Sequence, residues 1–272
     1  MARIPVKEVA PGVEAPVLGL GTWQLTGKGC VESVRKALEL GYRHLDTAEK
    51  YDNEAEIGEA IKSFPRDELF LTSKVSAENL RHDRLIKSLN GSLSRLQTDY
   101  LDLYLIHWPS RDIPVEETFG AFKQLQDSGK IRSSGVSNFF IHHLDNAIPA
   151  ARKLELAISV NQVEFHPLLH DEKLLDYCRD NGIALTAYSP LARGKALDNG
   201  VIREIAGKYS RTPAQVALRW EIQKEALTIP KAASPAHQEE NISIFDFKLE
   251  EEDVERIDSI PEFKRFVSLD TP

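Results

Sequence analysis

The sequence predicts a (β/α)8 barrel, and three observations lead there. Short apolar runs alternate with amphipathic stretches, about eight times, recurring every ~25 to 40 residues. After residue 15 no hairpin signal joins one apolar run to the next, so successive strands must lie parallel, connected by helices. The chain has 272 residues, close to the ~250 that eight such units need. No low-complexity segment or linker divides it, so one barrel domain over 1–272 is expected, with a short N-terminal hairpin and a short C-terminal tail. A doubly wound open sheet uses the same alternation and is the competing arrangement.

The elements follow in order. Residues 3 to 15 are short alternating pieces broken by Pro5, Pro11 and Gly12, which reads as a small hairpin. Val17 to Trp23 is a strand running into a glycine turn; Gly19 and Gly21 lack the third glycine of a dinucleotide fingerprint, since Gln24 stands in its place. Val31 to Leu40 is amphipathic and stops at Gly41; Arg43 to Asp46 is a strand; Glu54 to Ser63 is a helix closed by Pro65. Leu69 to Lys74 is a strand, and Asp83 to Leu96 is a helix with apolar residues at Leu85, Ile86, Leu89, Leu93 and Leu96. Leu101 to His107 is a strand, and Val115 to Ser128 a helix with Gly129 behind it. Ile131 to Ser137 holds a strand, and His143 to Arg152 a helix interrupted by Pro149. Ile158 to Phe165 is a strand, Glu172 to Asn181 a helix stopped by Gly182, and Ile183 to Tyr188 a strand. Val201 to Tyr209 and Pro213 to Lys224 are helical, the second opened by Thr212-Pro213. Leu227 to Ile229 is the last strand, and Leu249 to Ile260 a helix with an acidic first turn that suits its dipole.

Composition narrows the function. Charged residues make up 28% and hydrophobic ones 42%, with a formal charge of −8. No block of Lys and Arg stands out, which argues against nucleic acid as a partner. No apolar run approaches the ~20 residues of a membrane span, and Met1-Ala2-Arg3 is not followed by the apolar core of a signal peptide. Two distant cysteines, Cys30 and Cys178, suit a reducing compartment. The expectation is a cytoplasmic protein, and nothing demands more than a monomer.

A barrel of this kind builds its site at the C-terminal ends of the strands. Those ends are Asp46, Lys74, His107, Ser137-Asn138, Gln162 to His166, Tyr188-Ser189 and Pro230-Lys231, with Tyr51 one short loop past Asp46. Taken singly, an Asp at a strand end more often caps a turn and a loop Tyr more often packs. Together, an acid, an amine, an imidazole, amides and two phenols converge on one face. A phenol loses its proton near pH ~10, and an ammonium beside it lowers that value. Lys74 is placed to do so, with Asp46 holding it charged, while His107 is placed to orient a carbonyl oxygen. No Gly-x-Ser-x-Gly and no paired Cys and His supply a nucleophile. His166 and His170 share an i, i+4 spacing, but Pro167 breaks the helix face and no third ligand is near, so no metal is expected. The attacking species must come from outside, and a cofactor hydride fits.

The same residues carry a resemblance over essentially the whole chain. Gly19-Leu-Gly-Thr-Trp23, Gly41 to Ala48, Tyr51-Asp-Asn-Glu54, Ser73-Lys74, Asp99 to Leu103, Ile106-His-Trp-Pro109, Gly135-Val-Ser-Asn138, Asn161-Gln162 and Ile229-Pro-Lys231 occur in order. The sequence resembles the aldo-keto reductases, in particular prokaryotic members similar to 2,5-diketo-D-gluconate reductases. The resemblance implies NAD(P)H-dependent reduction of small aldehydes, ketones or dicarbonyls on a (β/α)8 barrel. It implies Tyr51 as proton donor, Lys74 and Asp46 as the groups that depress its pKa, and His107 as the carbonyl's orienting residue. Ser137, Asn138 and Gln162 would hold the nicotinamide carboxamide, and Tyr188 would stack on the ring. The loop Ser189 to Gly194, Leu191 included, would cover the pyrophosphate, with Gly21 and Thr22 also against the cofactor. Trp23 and Trp108 would line the substrate pocket.

The adenosine end departs from the pattern. Family members follow Pro-Lys-Ser with an Arg five positions further and then Glu-Asn, and Lys, Ser and Arg grip the 2′-phosphate of NADPH. Here Lys231, Glu240 and Asn241 match, but the Ser is Ala232 and the Arg is His237; Ser234 is a substitute hydroxyl. His lacks the permanent charge and the fork of donors that Arg presents. NADPH is therefore expected to bind with a reduced advantage over NADH, shrinking as His237 loses its proton. Ser76 stands where many members carry Trp, which together with the short tail implies an open pocket, with Phe263 and Phe266 either folding over it or packing against the barrel. Two other readings use the same residues: a Schiff-base aldolase with Lys74 as nucleophile, and a non-catalytic nicotinamide-binding regulatory subunit.

Overall fold

A computed structural model of the chain describes residues 4–261 and 265–267. Strands β1 (Val6–Ala10) and β2 (Val13–Pro16) form an antiparallel hairpin, turned at Gly12 with φ +69°, a conformation that glycine adopts without penalty. Eight parallel strands follow: β3 (Leu20–Gly21), β4 (His44–Asp46), β5 (Phe70–Val75), β6 (Leu101–Ile106), β7 (Ile131–Ser137), β8 (Ile158–Glu164), β9 (Ala184–Tyr188) and β10 (Leu227–Thr228). Each pairs with its sequence neighbours in that order. Parallel bridges Leu18 to Thr228 and Gly21 to Lys231 join the first strand's edge to the last. The barrel is closed, which excludes the open sheet.

That closing seam explains the brevity of β3. Of the expected strand Val17 to Trp23 only Leu20 and Gly21 are regularly paired; Val17 lies in a bend and Trp23 already in the turn closed by the Leu25 N–H donating to the Thr22 carbonyl. On the closing side the bonds are single, with Gly19 N–H donating to the Thr228 carbonyl and Gly21 N–H to the Pro230 carbonyl. A Cβ on Gly21 would sit 2.5 Å from the Ile229 carbonyl oxygen, so this glycine is needed for the two strands to approach.

The helices pack on the outer face of the strands: α1 (Gly27–Glu39), α2 (Glu54–Ile61), α3 (His82–Leu96), α4 (Val115–Asp127), α5 (Ile141–Arg152), α6 (Glu172–Asp180), α7 (Gly200–Tyr209), α8 (Pro213–Gln223), α9 (Pro235–Ile242) and α10 (Glu251–Asp258). In α3 the three- and four-residue spacing buries Leu85, Leu89, Leu93 and Leu96 on one stripe. Thr212 and Gln215 form a capping box at the start of α8, with Pro213 in its first turn. Strand alternation does the rest. On β6, Tyr104 and Ile106 join the large core under the helices, whereas Leu103 and Leu105 point into the barrel. There they meet Phe70, Val160, Ala184 and Leu227, and the hairpin's Val9, Val13 and Ala15 pack against this inner cluster. The hairpin thus plugs the N-terminal end and leaves the C-terminal end for chemistry.

Two expectations fail here. Pro149 does not interrupt α5, which runs through it. A proline in a helix loses one i to i−4 bond, but burial of Leu144, Ala147, Ile148 and Ala151 outweighs that loss. Helix α9 was not anticipated, although Ser234 and Pro235 form a regular start: the Ser234 hydroxyl oxygen accepts from the His237 N–H at 3.2 Å.

Candidate active site

Asp46 ends β4 and is 2% exposed. It pairs with Thr72 in the β4–β5 register, so Lys74, two residues on, stands on the same face one layer higher. The Lys74 ammonium donates to Asp46 Oδ1 at 2.5 Å, to the Thr47 carbonyl at 2.8 Å and to the Tyr51 hydroxyl at 3.4 Å. Gln162, from β8, donates to the other Asp46 oxygen at 2.7 Å. Both carboxylate oxygens and all three ammonium protons are therefore engaged in a place without water's screening.

Tyr51 closes a single 3-10 turn, Glu49–Tyr51, and is followed by Asp52 at φ 52°. Two anchors hold this loop, the half-buried Glu49 and the buried Asn53. The Glu49 carboxylate accepts from the Ser76 N–H, the Asn79 amide and the Ser88 hydroxyl. Asn53, fully buried, donates to the Thr22 and Leu25 carbonyls and accepts from the Thr47 hydroxyl. The phenol is thereby held edge-on to His107, ring centroids 5.7 Å apart.

The electrostatics differ from the expected scheme in one respect. Burial pushes the Tyr51 phenol up; the Lys74 charge pulls it down and the Asp46 charge pushes it up again, leaving it above the ordinary tyrosine value. Lys74 and Asp46 therefore do not depress this pKa below its reference in the free protein, because desolvation of the phenolate outweighs the ammonium. Burial works against the Lys74 charge, but Asp46 and Tyr51 outweigh it and hold the ammonium above its usual range. His107 is driven down to about 3 by burial and by the charges of Lys74 and Lys50. Its ring is neutral at physiological pH, and its Nδ1 is buried with no hydrogen-bond partner.

Beside these groups the ends of β7, β8 and β9 are laced together. The Ser137 hydroxyl donates to the Gln162 carbonyl at 2.8 Å, the Asn138 amide to the His107 carbonyl at 3.0 Å, and the Tyr188 hydroxyl to Asn138 Oδ1 at 2.8 Å. Asn138 and Ser189 both adopt positive φ, 63° and 50°, strained for side-chain-bearing residues and typical of functional turns. A cleft of about 380 Å3 opens above, walled by Asp46, Tyr51, His107, Trp108, Ser137, Asn138 and Gln162 on one side and Gly21, Thr22, Trp23, Tyr188, Ser189 and Lys231 on the other.

Residues 17–262 match the sequence model of the aldo/keto reductase family. The chain belongs to the aldo/keto reductase family. This reductase is 46% identical to the glyoxal reductase of Bacillus subtilis over 257 residues, covering 93% of the chain and 92% of that protein. It is 38% identical to a methylglyoxal reductase of Escherichia coli over 270 residues, covering 97% and 96%. The aldose reductase structure from Schistosoma japonicum superposes with a TM-score of 0.91 at 34% identity, covering 99% of this chain and 95% of that one. The protein is thus an oxidoreductase.

Several anticipated residues of the reductase stand outside the cleft wall as described. Lys74 lies behind Asp46 and Tyr51, fully buried. Leu191, Ala232, Ser234, His237, Glu240 and Asn241 belong to the β9 and β10 loops and α9 beyond it. The Ala232 carbonyl is held by the Ser33 hydroxyl and the Gln238 amide, while His237 is exposed and Asn241 buried. Ser76 is buried, its N–H is held by Glu49, and it does not itself line the cleft.

Lys50 and Val267 line the cleft and were not singled out from the sequence; Arg193, within the expected Ser189 to Gly194 loop, and Ile229, within the Ile229-Pro-Lys231 motif, line it too without having been given a role of their own. The Arg193 guanidinium stacks over Trp23 at 5.2 Å, joining the loops after β3 and β9. Val267 arrives there because the tail folds back: Glu164, buried at the end of β8, accepts from the Phe266 N–H at 2.7 Å and the Val267 N–H at 3.2 Å. The Phe266 ring packs near His166 at 5.6 Å, at the barrel wall; Phe263 lies outside the described residues. Hydrophobic pattern alone carries no signal for this tether.

The His166 and His170 spacing also resolves. His166 faces Glu164 through Nε2 and accepts from the Leu168 N–H at Nδ1. His170 gathers instead with Glu172 and Asp258, but the Lys224 ammonium already sits there, 2.8 Å from Glu172 and 3.0 Å from Asp258.

Proposed function

We propose that the reductase converts small aldehydes, ketones and dicarbonyls to alcohols, using NADPH, or NADH with less discrimination, with Tyr51 as the proton donor. The observation carrying this reading is the Tyr51 hydroxyl at the cleft wall, 3.4 Å from a buried ammonium and beside a neutral His107. The cleft suits a dinucleotide. Tyr188 offers an aromatic face, Ser137, Asn138 and Gln162 offer amides and a hydroxyl, and Arg193 and Lys231 offer cations for phosphate. Bound there, NADPH supplies the hydride that the side chains cannot.

The residues do the remainder. His107, uncharged, donates a hydrogen bond that orients a carbonyl oxygen towards Tyr51. As negative charge develops on that oxygen, the phenol gives up its proton. An alkoxide is a far stronger base than a phenolate, so the transfer runs downhill even from a raised tyrosine pKa. Lys74 then stabilises the phenolate left behind, and Asp46 with Gln162 keeps that ammonium in position. The reverse role, Lys74 as a Schiff-base nucleophile, is disfavoured by its place behind the cleft wall and its engaged protons. We read the whole chain as one catalytic barrel acting on small molecules.

The test is oxidation of NADPH or NADH by methylglyoxal, followed by absorbance of the reduced nicotinamide, with wild type and Tyr51→Phe. Wild type should turn over, and the variant should lose about 10²- to 10⁴-fold in kcat while still folding. Equal rates in the two proteins would remove Tyr51 from the mechanism, and no oxidation with a broad carbonyl panel would overturn the proposal.

A further inference from the structure

The cleft is electrostatically unlike the rest of the chain. The protein carries a formal charge of −8, yet among the described lining residues the cations are Lys50, Arg193 and Lys231 and the carboxylate is Asp46. Asp46 is already compensated by Lys74 at 2.5 Å. The mouth of the site is therefore a positive focus in an acidic protein, and such a focus draws anions in and repels cations.

The three cations occupy two walls. Lys231 belongs to the β10 side, bridged to Gly21, and Arg193 covers Trp23 on the same side. Lys50 stands opposite, on the turn after β4, immediately before Tyr51. Its charge is close enough to His107 to contribute to that ring's lowered basicity. On the proposed function, on which this inference rests, Arg193 and Lys231 serve the phosphates of the dinucleotide. Lys50 then has no cofactor role, and it is the cation beside the two residues that handle the carbonyl.

Nothing in the fold requires an ammonium there. Lys50 is exposed, and its partner is Glu78 at 3.3 Å, with both side chains about half exposed. An ion pair of this kind is weak and easily exchanged. A flexible lysine stem allows the ammonium to leave Glu78 for an anion seated in the cleft.

We propose that Lys50 is a specificity-determining residue that recognises a carboxylate on the substrate, so that the site favours small oxo acids and semialdehydes of dicarboxylic acids over neutral carbonyl compounds of the same size. The reacting carbonyl sits between Tyr51 and His107, and the carboxylate a few bonds away meets Lys50. The carboxylate itself takes no part in bond making. Because its charge is the same before and during hydride transfer, the contact strengthens ground state and transition state alike and appears in KM rather than kcat.

The experiment compares succinic semialdehyde with butanal, which share a four-carbon chain and differ in the terminal carboxylate. The readout is the ratio of their kcat/KM values at saturating NADPH, for wild type, Lys50→Met and Lys50→Arg. Wild type should favour the semialdehyde by about tenfold, the scale of one hydrogen-bonded charge pair. Lys50→Met should bring the ratio near unity through KM, Lys50→Arg should restore it, and added salt should erode it in wild type. A wild-type ratio near unity, or a ratio that survives in Lys50→Met, overturns the assignment while leaving carbonyl reduction intact. Failure of wild type to reduce either compound with either nucleotide overturns the proposed function and this inference with it.

Discussion

Gln162 donates its side-chain amide to Asp46 Oδ2 at 2.7 Å. The two residues stand on β8 and β4, opposite walls of the barrel, so this bond spans the interior. The amide that the family resemblance assigns to the nicotinamide also completes the solvation of the buried acid. On that assignment one side chain would couple cofactor handling to the Lys74–Asp46 pair.

A first prediction tests that coupling. Gln162→Ala strips a hydrogen bond from a buried carboxylate, which costs about 1 to 3 kcal/mol, more than the loss of a neutral pair. Urea unfolding should show that loss with an unchanged slope. Unchanged stability would mean that water replaces the amide and that Gln162 is free to serve the cofactor alone.

The pH dependence has a definite form. Tyr51 is raised above its ordinary value by burial, so it stays protonated through neutrality and kcat/KM should decline only above about pH 10. His107 is lowered to about 3, so no inflection should appear near its usual titration range. A limb near about pH 6.5 that vanishes in His107→Gln would contradict the neutral-ring assignment.

The same His107 shift bears on stability. Its folded pKa lies below the unfolded value, so the unfolded chain takes up the proton first. The contribution to stability is full above about pH 6.5 and is lost as pH falls towards about 3. His107→Gln should flatten that part of the stability curve in acid unfolding experiments.

Glu164 governs the tail. Burial pushes its carboxyl up, but hydrogen bonds from His166, Phe266 and Val267 outweigh burial and hold it below the usual range. The tether is therefore complete above the unfolded carboxyl pKa and is lost as pH falls through the lower folded one. Glu164→Gln should speed hydrogen exchange at the Phe266 and Val267 amides by about tenfold or more. Because Val267 lines the cleft, KM for carbonyl substrates should change as well. Unaltered exchange would show that packing of Phe266 on His166, rather than the carboxylate, holds the segment.

At the adenosine end, His237 is exposed in the first turn of α9, three residues beyond the Ser234 cap. His237→Arg should raise the NADPH-to-NADH ratio of kcat/KM by about tenfold, by adding a permanent charge and a bidentate donor for the 2′-phosphate. An unchanged ratio would place the discrimination on Lys231 alone.

What was readable in the chain was periodicity and the residues at its breaks. Eight apolar runs separated by amphipathic stretches leave little choice but parallel strands with crossover helices, and the strand ends Asp46, Lys74, His107, Asn138 and Gln162 could be named because barrel strands all end on one rim. The single-residue identities that set the chemistry are local, and so is the fault in the 2′-phosphate pattern at Ala232 and His237. Three matters needed the folded chain. Closure of the barrel depends on Gly21 meeting the Ile229 carbonyl across more than two hundred residues, a contact no local pattern encodes. The direction of the Tyr51 shift depends on how much burial opposes Lys74, and burial is a sum over neighbours from several strands. The cation wall of Lys50, and the tail held to Glu164, arise where segments distant in sequence become adjacent, because charge and hydrogen bonding act through space and only the tertiary structure sets those distances.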